Sequence, residues 1–310
     1  MPFKMRIFLT GASGYLGSLL SKRLAELPEV ESITGIALST PTAPLPPKVN
    51  FLKMDMRSPD LAAVMAGHDT VVHTACIVLW PAKMPTRERD DINLNGVRNV
   101  AQAALTNKIS RFIHTSSLAA YDPGWAHGKS DVTEDSPIGR GDSPFYYWNA
   151  KAAAERILKE IFSPSPTLLT FLRPIYIIGP HNRANANNYR KNAVNFPGRN
   201  PRRQFIHEED VVTAFVRALR TDMPGAFNVV PDDFLRMSDV WKIMGVKFVP
   251  TVPLWLASLI TGIRWRYFGS PIHPSWVRDM LVDFTGSNGK LKTTGWQPQF
   301  DSEQALRSAL

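Results

Sequence analysis

The chain has 310 residues, 44% of them hydrophobic and 20% charged, with 36 Lys and Arg against 27 Asp and Glu, for a formal charge of +9. These fractions lie close to globular averages and exclude a disordered, collagen-like or coiled-coil chain, while the length allows one large domain or two modest ones around an enzyme-sized core. Cys76 is the only cysteine, which excludes a disulfide scaffold, and the lack of a charged-then-apolar leader makes the cytoplasm the expected location.

From the start, short apolar runs alternate with longer helical patterns, the rhythm of parallel strands joined by crossover helices. Strands are expected at 5–9, 32–38, 51–54, 70–74, 111–115 and 167–172, and helices at 15–27, 59–65, 87–105 and 147–161. A seventh strand at 225–230 is expected to return to the sheet edge. The fold class expected is α/β: a doubly wound parallel sheet from residues 1–177 and 204–230, with a smaller, mainly helical substrate domain from 178–203 and 231–310, where Pro and Trp are denser. The apolar stretch 252–263 is interrupted by Pro253 and too short for a membrane span. Residues 253–267 are apolar, then basic and aromatic, and read as a lid or substrate-domain helix in preference to an interfacial membrane segment.

Charge is densest from Arg183 to Arg203, through Arg190, Lys191, Arg199 and Arg202. That stretch reads either as a solvated loop or as a site for an anionic cofactor or substrate. No zinc-ligand spacing, aromatic RNA-binding signature or continuous basic helix accompanies it, so nucleic acid is not an expected partner. The seven histidines include no pair at helical metal-ligand spacing, and no metal is expected.

The first strand ends in Thr10-Gly11-Ala12-Ser13-Gly14-Tyr15-Leu16-Gly17 and runs into an apolar-periodic helix. Gly11 can make the tight turn, Gly14 lets backbone approach a pyrophosphate, and Gly17 permits close helix–strand packing. The helix N-terminus offers unpaired N–H groups to the anion.

This TGxxGxxG spacing resembles the extended branch of the short-chain dehydrogenase/reductase superfamily, and the resemblance covers nearly the whole chain. It continues through 53–57 after the third strand, His73-Thr74-Ala75-Cys76, Asn93-Leu94-Asn95-Gly96, Thr115-Ser116-Ser117, the YxxxK of Tyr147 to Lys151, Arg173-Pro174, the segment 205–211, and Gly295-Trp296. It implies a Rossmann-type fold that binds NADP or NAD, acts on a small-molecule substrate and forms a homodimer through the helices of Asn93 and Tyr147. It also implies cofactor contacts from Gly11, Ser13, Gly14, Tyr15, Leu16, Gly17, Ser39, Asp55, Met56, Thr74, Ala75, Cys76, Asn93, Tyr147, Lys151 and Pro174. Catalysis is expected from Ser117, Tyr147 and Lys151, with Ser116 as the rival serine, and substrate contacts from Ser117, Tyr176 and Arg203.

Tyr147 and Lys151 are four apart on a helix and so share one face. A tyrosine of pKa near 10 is only about one part in a thousand ionised at neutral pH, and a neighbouring ammonium is expected to lower that pKa. Cys76 lacks a metal or nucleophile partner and reads as a small buried residue.

Leu118-Ala119-Ala120 replaces the acidic groups that dehydratases and decarboxylases of this branch keep after the catalytic serine. Tyr176 stands where sugar-nucleotide epimerases typically place Asn. Against this, Arg203 matches their diphosphate-binding arginine. Trp80, Trp125, Tyr146, Trp148, Tyr176, Trp255, Trp265 and Tyr267 suit an apolar-lined pocket. The expected activity is therefore hydride transfer between nicotinamide and a carbonyl or alcohol, with sugar-nucleotide epimerisation and non-catalytic dinucleotide binding as alternatives. The end of the second strand, Gly35 to Thr40, has no acid for a ribose diol, while Ser39 and Thr40 can hydrogen-bond a 2′-phosphate, so NADP is favoured over NAD.

Overall fold

Strands β1 (Met5–Thr10) and β4 (Thr70–His73) are buried on both faces, as strands in the middle of a parallel sheet must be, with Ile7, Phe8, Leu9, Val71 and Val72 at their centres. Between them lie helix α1 (Tyr15–Ala25), β2 (Val30–Ala37), β3 (Val49–Lys53) and the short α2 (Leu61–Val64). Helix α3 (Thr86–Asp90) runs through a π-helical turn at Asp91–Asn95 into α4 (Gly96–Thr106), followed by β5 (Arg111–Thr115), α5 (Tyr146–Phe162) and β6 (Leu168–Pro174). The chain continues as β7 (Tyr176–Ile178), α6 (Arg183–Lys191), β8 (Arg202–Arg203), β9 (Phe205–His207), α7 (Glu208–Arg220) and β10 (Gly225–Val229). It ends with β11 (Leu235–Arg236), α8 (Met237–Ile243), α9 (Leu254–Tyr267), α10 (Ser275–Asp279), α11 (Gly289–Lys292) and α12 (Ser302–Ser308). This computed structural model describes residues 4–121, 131–141, 143, 145–270 and 272–310; Trp125, expected near the pocket, lies outside them.

The seven-stranded sheet has the order β10-β6-β5-β4-β1-β2-β3, and every pairing in it is parallel. The order reverses between β1 and β4, which is where an open α/β sheet leaves a crevice at its carboxyl edge. Leu16, Leu19, Leu20 and Leu24 place one face of α1 on the sheet beside Val211 and Phe215 of α7. Val97 and Val100 of α4 cover the opposite face with Leu158 and Ile161 of α5. Helix α7 opens with Glu208, Glu209 and Asp210 and closes on Arg217 and Arg220, charges that complement its dipole.

The basic stretch after residue 182 is not a plain loop, because Arg183–Lys191 is helical. A third cluster joins Ile178 and Ala186 to Phe205, Met237, Trp241 and Leu306. The carboxyl-terminal chain also returns to the main core, where Phe284, Leu291 and Trp296 pack with residues of β1 and α7.

One buried network sews α5 to the sheet. Glu155 accepts two hydrogen bonds from Arg173 of β6, at 2.8 and 2.6 Å, and one from the Ser116 hydroxyl at 2.5 Å. Arg173 and Glu155 are both essentially without solvent exposure, and the guanidinium also lies over the Tyr121 ring. Removing one member of such a pair strands the other charge in a low-dielectric interior. Glu155→Ala is therefore expected to destabilise the fold by about 3 to 5 kcal/mol. Chemical denaturation checks this, and a loss below about 1 kcal/mol, the value of an exposed pair, would contradict it.

Candidate active site

The turn after β1 is shaped by approaches too close for any side chain. Gly11 has φ +76°, and a Cβ on it would lie 2.8 Å from the Thr74 hydroxyl and 2.9 Å from the Ala75 nitrogen. A Cβ on Gly17 would lie 2.0 Å from the Gly11 carbonyl oxygen, so α1 can start this close to β1 only with glycine there. Gly14 is the N-cap of α1 and no side chain caps the helix, which leaves the first N–H groups directed at the crevice. Unsatisfied N–H groups at a dipole's positive end are the donor set a pyrophosphate needs, and the loop fits a dinucleotide. Ser13 and Ser39 share a hydrogen bond of 2.9 Å, linking the glycine loop to the exposed end of β2. Exposed Lys53, the first residue of the 53–57 segment, pairs in register with Ala37 there and adds a cation.

Other expected cofactor residues have partners already. Tyr15 donates to Glu208 at 2.5 Å, and the other oxygen of Glu208 lies 2.5 Å from the His181 ring. Burial and the carboxylate together hold the Tyr15 phenol far above its ordinary range. Asp55 is engaged by Arg57, whose guanidinium also reaches Asp91; the hydrogen bonds from Arg57 keep the Asp55 carboxyl below its usual value. Met56 is buried against Gly96, and Asn93 pins the chain after β4 by accepting from the Ile77 N–H at 2.8 Å and donating to its carbonyl at 3.1 Å. Asn93 sits in the π-helical turn, a feature frequent at functional sites.

Ser117, Tyr147 and Lys151 do come together. The Lys151 ammonium donates to the Thr115 carbonyl at 2.7 Å and sits 5.8 Å from the Tyr147 ring centroid. Ser117 favours the ionised Tyr147 phenol, and its hydroxyl donates to the Pro174 carbonyl at 3.4 Å. Ser116, the rival, is taken by Glu155. Lys151 acts on the Tyr147 pKa in the expected direction but does not set its net value. Burial outweighs the ammonium, and the phenol stands above its ordinary value with Lys151 opposing the rise. Cys76 is not buried as expected. It is half-exposed and close enough to Lys151 to favour the ammonium form electrostatically and by hydrogen bonding, against the burial that disfavours it.

Of the three residues expected on the substrate side, Tyr176 and Arg203 are engaged around Asp279. Arg203 has no exposed surface, and its guanidinium donates to the Val282 and Asp279 carbonyls. Tyr176 donates to the Asp279 carboxylate, and both groups are pushed up by burial. Arg203 is thus a buried partner of Asp279, not a loop charge open to an incoming diphosphate. Aromatic side chains gather beside Tyr147 and its neighbour Tyr146. Trp276 lies 5.6 Å from the Tyr147 ring, and Trp80 packs against Tyr146, Trp265 and His273 at 5.3, 5.5 and 4.9 Å. Arg89, nearly buried, sits over the Trp80 and Tyr146 rings at 4.1 and 4.8 Å. Trp276 and Arg89 carried no motif that sequence reading could use, since only folding brings them to Tyr147 and Tyr146.

The sequence model of the NAD dependent epimerase/dehydratase family matches residues 7–229. The chain is 31% identical over 189 residues to an N-acetyl-alpha-D-glucosaminyl-diphospho-ditrans,octacis-undecaprenol 4-epimerase of Escherichia coli O157:H7, across 60% of this chain and 53% of that protein. It is 25% identical over 180 residues to a 3 beta-hydroxysteroid dehydrogenase/Delta 5-->4-isomerase of monkeypox virus, across 55% of this chain and 52% of that one. The fold is similar to that of a UDP-glucuronic acid 4-epimerase from Bacillus cereus in complex with UDP-glucuronic acid and NAD, with a TM-score of 0.74, 19% identity and 98% of each chain covered.

Beneath the site, His73 of β4 and His114 of β5 are paired in register and stacked at 5.2 Å. Burial depresses the pKa of His73 to about 3 and that of His114 well below its ordinary value, with Lys151 adding to both effects. Folded-state values below the unfolded 6.5 mean that this stability is present above pH 6.5 and is lost as pH falls, because the unfolded chain then binds protons that the native state refuses. Each histidine steepens the loss by up to about 1.4 kcal/mol per pH unit. His114→Leu, which strands no polar partner among the described residues, is expected to flatten the fall of denaturation free energy between pH 7 and 5. An unchanged slope would contradict the neutral, buried state.

Proposed function

Since the chain belongs to the NAD dependent epimerase/dehydratase family, we propose that it is a dehydrogenase or reductase that moves a hydride between nicotinamide and an apolar secondary alcohol or ketone. The observation that carries this reading is the aromatic cover over Tyr147, formed by Trp276 with the neighbouring Trp80, Tyr146 and Trp265, together with the enclosure of Arg203 by Asp279. An apolar ring system gains from such walls, whereas a sugar diphosphate needs an open cation that Arg203 does not offer. The viral relative is by its name a hydroxysteroid dehydrogenase, in line with this choice. The Escherichia coli relative is an epimerase, and it keeps sugar-nucleotide epimerisation as the second reading.

In the proposed reaction, the glycine loop of Gly11, Ser13, Gly14, Leu16 and Gly17 holds the dinucleotide, with Tyr15, Asp55, Met56, Asn93 and Pro174 shaping the rest of the groove. When bound, the nicotinamide supplies or accepts the hydride. Ser117 hydrogen-bonds the substrate oxygen, and Tyr147 gives that oxygen its proton in reduction or takes it in oxidation. The raised pKa of Tyr147 keeps the proton in place at neutral pH. Lys151 favours the phenolate left after transfer. Thr74, Ala75 and Cys76 form the floor beside these groups. Ser39 and Lys53 at the acid-free end of β2 favour a 2′-phosphate, and NADP is proposed over the NAD named for the structural neighbour. The reading retains a second, smaller substrate domain, a cytoplasmic location and a homodimer through α4 and α5.

With NADPH and a panel of aromatic and alicyclic ketones, the protein is expected to oxidise the cofactor in proportion to product, faster than with NADH. Tyr147→Phe is expected to lower that rate about a hundredfold or more, as loss of a general acid does. Inversion of a UDP-hexose without turnover of any ketone would establish the second reading instead.

A further inference from the structure

Helix α9 is apolar nearly all round, yet among its fourteen residues Ala257 is the one that is buried. A helix of that composition normally lies inside a core. Here Trp255, Leu259, Ile263 and Tyr267, four apart and therefore on one stripe, are 67%, 53%, 42% and 76% exposed. Ile260, Phe268 and Phe248 extend the patch. The inner side is fixed: Ala257 packs on Phe196 and Val277, the Trp265 indole donates to the Trp80 carbonyl at 2.7 Å, and Arg264 donates to Asn192 at 2.9 Å.

The two sequence segments that form this face carry basic residues and no acids. No Asp or Glu occurs between Asp239 and Asp279, a stretch that carries Lys242, Lys247, Arg264, Arg266 and Arg278. The segment packed against it, from Arg183 to Arg203, is also free of acids and brings Arg190, Lys191 and Arg199. The Arg264–Asn192 contact and the bridge between Asn195 and Thr251 join the two.

We propose that this face is an interfacial seat on an anionic lipid bilayer, with α9 lying in the plane of the headgroups. Fourteen residues make a helix of about 21 Å, shorter than the roughly 30 Å hydrocarbon layer, so the helix rests at the interface and does not cross it. The aliphatic stripe enters the acyl boundary, Trp255 and Tyr267 sit at headgroup level, and the basic side chains meet the anionic surface. A symmetric contact between two copies would set Lys247, Arg264 and Arg266 against themselves, which favours a lipid surface as occupant. Trp265 ties the seat to the aromatic cluster beside Tyr146, so the docked face adjoins the candidate active site. The inference rests on surface and charge alone and is independent of the reaction proposed above.

The test is sedimentation of the full chain with vesicles of phosphatidylcholine, alone or mixed with phosphatidylglycerol. The protein is expected to pellet with the mixed vesicles, to be released by high salt, and to stay in solution with phosphatidylcholine alone. Lys247→Glu with Arg266→Glu should weaken binding by more than about fivefold per position, since each change reverses a charge instead of only removing it. Leu259→Ser with Ile260→Ser, at exposed positions, should abolish binding, while dinucleotide binding and the denaturation midpoint stay unchanged. Failure to pellet with mixed vesicles, equal binding to both vesicle types, or a dimer in buffer that the Leu259 and Ile260 changes dissociate would each overturn the proposal.

Discussion

Everything in the candidate site depends on how one face of α5 is fastened to the carboxyl ends of β5 and β6. Tyr147, Lys151 and Glu155 recur every fourth residue, so they form a single column. Glu155 is locked by Arg173 and Ser116, and Lys151 by the Thr115 carbonyl. With the lower two rungs bound to the sheet, the top rung is fixed beside Ser117 without needing an anchor of its own. The phenol is therefore positioned while its hydroxyl remains available for chemistry. The cost is a buried ion pair and a buried ammonium. Such groups persist where geometry is worth more than the few kcal/mol an apolar replacement would gain.

The same low dielectric sets the electrical character of the site. His73 and His114 lie under Lys151 and are held neutral by burial and by the ammonium itself. The cation near Tyr147 is thus not diluted by titrating neighbours at physiological pH. On the other side of the crevice, the approach of Gly17 to Gly11 brings the start of α1 against the end of β1, so helix N–H groups and the Tyr147–Lys151 pair face the same carboxyl edge of the sheet. A dinucleotide long enough to span that edge reaches both.

The fold was largely legible because its strands are short segments built on buried apolar residues and its helices carry clear periodicity. The expected strand 111–115 coincides with β5, and the others differ from the observed strands by a few residues at their ends. The pairing of Tyr147 with Lys151 was legible because the two are local in sequence. What escaped reading is what depends on distant chain. Arg203 looked like part of a basic loop, but its burial comes from Asp279, 76 residues on, and from Val282. The raised pKa of Tyr147 follows from its burial in the folded chain, which no local pattern announces. Helix α9 was expected as a lid or domain helix; only its exposure in the folded chain separates a covered helix from a docking face.

The central claim is that the crevice between the glycine loop and Tyr147 passes a hydride to a carbon of a separate, apolar substrate. The most direct measurement uses reduced dinucleotide deuterated at the transferring position of C4, with mass spectrometry of the alcohol formed from a ketone. The account predicts that the deuterium appears at the carbinol carbon of the product and is lost from the cofactor. Label that stays with the cofactor while a sugar nucleotide is inverted would contradict it.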